Sequence, residues 1–71
     1  MMASDLYYVN KNAQNTGEHE VHKGDCPVGP LPENSQYLGV FSSCKDAVEK
    51  AKEYYANVDG CAVCSPACHT K

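Results

Sequence analysis

Large apolar side chains are scarce in this 71-residue chain: three Leu, seven Val, one Phe and no Ile, 11 positions in all. The 42% hydrophobic content looks ampler only because it counts alanine, cysteine and tyrosine. A core this thin does not readily offset ordering costs of about 1.5 kcal/mol per residue, so a cross-link is expected. Strong charge is lacking too. A net charge of −3 is too small for the core-poor, highly charged composition of a disordered chain. Six basic residues against nine acidic ones leave no basic footprint for nucleic acid and no cluster for anionic lipid. No apolar run approaches the ~20 residues of a membrane span, and "MMASDLYYVNKNAQ" lacks the apolar centre of a secretory signal. Internal repeats, low-complexity tracts and linkers are absent, which leaves one small domain over residues 1–71. Nor is there a Ser-His-Asp spacing, a phosphate loop or a carboxylate pair, so an enzyme is not expected.

What the chain does have is cysteine and histidine in two clusters. "HEVHKGDC" (19–26) and "GCAVCSPACH" (60–69) hold all three histidines and four of the five cysteines. An odd cysteine count rules out a fully paired intramolecular set. Without a secretory signal the expected setting is cytoplasmic and reducing, where metal ligation is favoured over structural disulfides. Cys61-x2-Cys64 has the spacing at which two thiolates meet one ion across a tight turn. His22-x3-Cys26 offers a nitrogen and a sulfur where a strand runs into a loop. Together His22, Cys26, Cys61 and Cys64 predict one structural zinc with three sulfurs and one imidazole, tying the first half of the chain to its tail. Cys68 or His69 could replace His22, giving an all-cysteine shell in the first case. Cys44 reads as a buried free thiol acting as a small hydrophobe. In an oxidising setting it becomes the partner of a C-terminal cysteine.

Alternation in "DLYYVNKN" (5–12) and "EHEVHK" (18–23), joined by the turn-forming "AQNTG", predicts a β-hairpin. On the second strand His22 faces away from His19, which reads as a surface histidine. "CPVGPLPENSQ" (26–36) carries three of the four prolines and is a loop. "YLGVF" (37–41) is a third strand or an extended lead-in. "SSCKDAVEKAKEYYANVDG" predicts a helix near 43–58, with Ser42 or Ser43 as cap and an Asp46–Lys50 pair. Its stripe comprises Cys44, Ala47, Val48, Ala51, Tyr54 or Tyr55, and Val58, and Gly60 ends it. The tyrosines are expected to cap the core with wet hydroxyls. A cysteine knuckle over 60–69 follows. The fold class is α+β: a small antiparallel β-hairpin or three-stranded sheet with one main helix, closed by zinc.

"VHKGDCP", "LGVFSSCKDAVEKA" and "DGCAVC" resemble the metal-binding N-terminal domain of the Ada DNA-repair family and its small relatives. That pattern runs as a ligand, three residues, a cysteine, an aromatic before an alanine-rich helix, then C-x-x-C. The resemblance implies the same four ligands. It does not imply methyl transfer, because His22 stands where Ada has its acceptor thiolate, nor DNA binding, because "HKGDCP" lacks Ada's arginines. The chain also resembles small bacterial proteins of unassigned function with the pattern HEVH…C…YLGxF…C…GCxxC…CH. The expected function is a small non-catalytic, metal-stabilised interaction module of unknown partner, with a protein as one candidate. The alternatives are an Ada-like nucleic-acid-binding module and a thiol redox protein using Cys61-x2-Cys64. Against the redox reading, that pair follows a helix behind Asp59 instead of opening one, so nothing nearby lowers its thiol pKa.

Overall fold

A computed structural model describes residues 4–70. Its sheet has four strands: β1 (Asp5–Asn10), β2 (His19–Lys23), β3 (Ser35–Phe41) and β4 (Val58–Gly60). The spatial order is β3-β1-β2-β4. β1 pairs antiparallel with β2 and with β3, while β4 adds to β2 in parallel. The predicted hairpin is therefore the centre of the sheet, and "YLGVF" is a strand on its far side. β4 was not expected. Val58 and Gly60 belong to it, where the sequence placed the end of a helix.

α1 is correspondingly short, Cys44–Ala51. Tertiary contacts draw the chain out of it. Tyr55 stacks on His19 with centroids 3.7 Å apart, and the His19 N–H donates to the Asn57 carbonyl. Both contacts favour an extended exit over another helical turn. Ser43 sits at the N-cap in an extended conformation, but its hydroxyl makes no capping bond. Lys50 pairs with Glu53 at 3.0 Å rather than with Asp46.

One face of the sheet packs against α1. Tyr7, Val9, Val21, Leu38, Ala47 and Ala51 form the core, joined by Phe41, Cys44, Val48, Tyr55 and Val58. Tyr7, expected at the rim, is buried, and burial raises its hydroxyl pKa above the usual value. A bulge sets the register of β3: Tyr7 lies opposite Gly39 but Tyr8 opposite Tyr37, so Leu38 is the extra residue. Gly39 takes φ 132°, a conformation open to glycine, and the offset turns both Leu38 and Phe41 toward the core.

Cys44 and Cys68 are joined in a disulfide. This corrects the reading of Cys44 as a free thiol, the expectation of no structural disulfide, and the candidacy of Cys68 as a metal ligand. The first turn of α1 brings Cys44 against a short 3-10 turn, Pro66–Cys68, and the bond pins the tail there. The tail is held at two further points. A Cβ added to Gly60 would lie 2.6 Å from the Cys68 Cβ, so only glycine permits that approach. Asp59, buried on the next position, takes the Thr70 N–H and hydroxyl on Oδ1, both at 2.9 Å. Its Oδ2 faces His69 Nδ1 at 3.0 Å. Burial pushes the Asp59 carboxyl upward, but the two Thr70 bonds and His69 outweigh it and leave the pKa below the ordinary value. No helix among the described residues is long and apolar enough to cross a membrane.

Candidate metal centre

Alternation along β2 decides where His22 goes. Val21 points into the core, so Glu20 and His22 point to the opposite face of the sheet. There His22 is nonetheless 3% exposed, covered by the loop after β2 and by the tail. Cys26 lies at the start of that loop, whose first turn is closed by the Cys26 N–H donating to the Lys23 carbonyl. From the other direction, β4 delivers Cys61, whose N–H donates to the Val21 carbonyl at 3.0 Å. The Ser65 N–H then donates back to the Cys61 carbonyl at 2.8 Å, folding the knuckle so that Cys64 returns toward Cys61.

The four side chains named from the sequence converge. One ligand atom each from His22, Cys26, Cys61 and Cys64 lies within 4.8 Å of the others, close enough to hold a metal ion. Cys26 Sγ and Cys61 Sγ are 3.9 Å apart, as are Cys64 Sγ and His22 Nδ1. The two halves are thus knitted across the sheet, a pair from each side of the Cys26–Cys61 gap in sequence. His69, the other alternative, lies outside the cluster. Its Nδ1 is directed to Asp59 and to the Gly60 carbonyl. His19 is also excluded: its Nδ1 contacts the Asn10 carbonyl at 2.9 Å and its ring lies against Tyr55, so it is part of the packing and not a bare surface histidine.

Around the cluster stand groups that orient it. His22 Nε2 is 3.6 Å from Glu20 Oε1 while Nδ1 faces the thiols, the arrangement in which a carboxylate fixes the tautomer of a metal-binding imidazole. The Lys23 N–H donates to Cys64 Sγ at 3.4 Å, and the Ser65 hydroxyl reaches the same sulfur at 3.9 Å. Glu20 was legible in principle, because a residue two positions before His22 on a strand shares its face. The Lys23 contact comes from backbone and leaves no trace in residue type.

Burial is the main influence on the site's ionisation. It lowers the His22 pKa below 6.5, against a smaller opposing effect of Glu20. It raises the Cys64 thiol pKa, with the neighbouring Cys26 thiol adding to the effect. A histidine held neutral by the fold binds a proton more readily once unfolded. Its contribution to stability is therefore complete above about pH 6.5 and is lost as pH falls from there through the lower folded value. The protein is expected to melt at a lower temperature at about pH 5.5 than at about pH 7.5, and equal melting temperatures would show that His22 makes no such contribution.

No protein-family model matches the chain, and no curated protein or solved structure matches it significantly.

Proposed function

We propose that this chain is a small non-catalytic interaction module whose fold is completed by one structural zinc on His22, Cys26, Cys61 and Cys64. The convergence of those four ligand atoms within 4.8 Å carries the reading. Three thiolates and an imidazole are a zinc set by softness and number. A tetrahedron of Zn–S bonds of about 2.3 Å has sulfur–sulfur edges of about 3.8 Å, close to the spacing found. The Cys26–Cys61 separation of 3.9 Å needs almost no adjustment. With four protein ligands the ion keeps no open position for water or substrate, which favours a structural over a catalytic role.

The thin core gives the ion its purpose. Among the described residues, Val9 and Val21 are the largest side chains that are fully buried. The ligand order, histidine-x3-cysteine then C-x-x-C after a helix, also agrees with the Ada-like resemblance. A protein remains the favoured partner, since the acidic balance of the chain opposes nucleic acid.

Native mass spectrometry of the purified protein is expected to show about one zinc per chain, the ratio of a closed four-ligand site. A folded protein at the bare polypeptide mass would end this reading. Fluorescence anisotropy with labelled DNA and RNA should show no binding at moderate salt, and a steeply salt-dependent signal would transfer the assignment to a nucleic-acid module.

A further inference from the structure

We propose that Cys26 is a site of oxidation by small hydroperoxides and that Cys61 resolves it, so that the metal centre doubles as an oxidant-triggered release device. The proposal deepens the metal reading and rests on it for the release step. Its thiol chemistry rests on the geometry of the two sulfurs.

The three free thiols differ in access. Cys61 is 2% exposed. Cys26 and Cys64 are both half-buried, but the Cys64 sulfur is held by the Lys23 N–H and the Ser65 hydroxyl. Cys26 alone opens onto a hollow of about 220 Å³, walled by Tyr8, His22, Gly29, Pro30 and Pro32. That is several times the roughly 30 Å³ share of a water molecule, ample for a peroxide. Cys61 Sγ lies 3.9 Å from Cys26 Sγ. An accessible sulfur with a buried one at van der Waals distance behind it is the layout of an attacking and a resolving cysteine. The chain also shows that its sulfurs bond when they meet, since Cys44 and Cys68 have done so. Three further sulfurs lie crowded with His22 within 4.8 Å and are unbonded to one another.

The chemistry balances with a hydroperoxide as the oxidant. The Cys26 thiolate attacks the distal peroxide oxygen; the S–O bond forms, the O–O bond breaks, and the departing oxygen takes a solvent proton, leaving as water from hydrogen peroxide or as the alcohol from an organic hydroperoxide. The Cys61 thiolate then attacks the Cys26 sulfenic sulfur. The S–S bond forms and the S–O bond breaks, and the sulfenic oxygen leaves as water after taking another solvent proton. Two thiolates have lost two electrons, which the peroxide has accepted. The ion loses two of its four ligands and departs.

The test uses the full chain as purified, with the Cys44–Cys68 bond intact, treated with hydrogen peroxide. Zinc release is followed with a chromogenic chelator, and the products are mapped by mass spectrometry of non-reduced digests. The expected result is a Cys26–Cys61 linked peptide appearing in step with the ion. Brief treatment of the untreated protein with N-ethylmaleimide should label Cys26 ahead of Cys61 and Cys64. A Cys61–Cys64 or Cys26–Cys64 link, labelling led by Cys64, or sulfinic acid at Cys26 with no link would overturn the proposal. A chain that carries no ion as purified refutes the metal reading instead, and the linked peptide then decides the thiol pair separately.

Discussion

Cys61→Ser is expected to lose the ion and the cooperative fold together. Cys61 lies in the interior, its backbone is tied to β2, and its sulfur faces Cys26. A serine hydroxyl there is a poor zinc ligand and, without the ion, a buried polar group lacking its partner. Structural zinc supplies about 10–16 kcal/mol of apparent binding free energy in small domains at neutral pH. Native domains are stable by only about 5–15 kcal/mol in total. Loss of the ion therefore exceeds what the small core can sustain. Far-UV circular dichroism of the variant should show no cooperative melt, and a chelator added to the parent protein should reproduce that state. His22→Ala should behave alike. A sharp melt in Cys61→Ser within about 3 °C of the parent, a shift worth less than about 1 kcal/mol for a domain of this size, would mean that the cluster does not hold the fold.

The second large effect falls on the disulfide. Cys44→Ala is expected to keep the ion, because neither Cys44 nor Cys68 belongs to the ligand set. It should nevertheless destabilise the protein. The bond closes a sequence separation of 24 residues. Releasing that constraint in the unfolded chain costs about 3 kcal/mol. At about 4–8 °C per kcal/mol for a small domain, the melting temperature should fall by roughly 15 °C. Differential scanning calorimetry with zinc analysis of the same sample measures both halves of the statement. Zinc lost from Cys44→Ala would mean that the knuckle cannot keep its shape without the tail's anchor.

The two variants separate cross-links that the sequence shows with different clarity. The metal cluster was legible because its spacing is local: x3 within one pair and x2 within the other, each set by a single turn. The core strands were legible through alternation, as at Tyr7, Val9 and Val21. β4 was not. Three residues, Val58, Asp59 and Gly60, are too few to alternate, and Asp and Gly are poor strand formers. Its parallel pairing with β2 is a decision of the tertiary fold. The helix was overrun for the same reason: Tyr55 fits the stripe period, yet its ring goes to His19. The disulfide was half-legible. Once three cysteines join His22, the two left over are Cys44 and Cys68, but only the folded chain shows that they meet.

The order β3-β1-β2-β4 has a consequence for biogenesis. The first three strands lie within residues 5–41, so they can pair while the rest of the chain is still emerging from the ribosome. Until Val58–Gly60 arrive, β2 is an uncovered margin with His22 and Cys26 waiting beside it. One imidazole and one thiol make only half of the cluster, which is complete once Cys61 and Cys64 dock beside them. Between those two events the open margin of β2 is exposed to strand pairing with neighbouring chains.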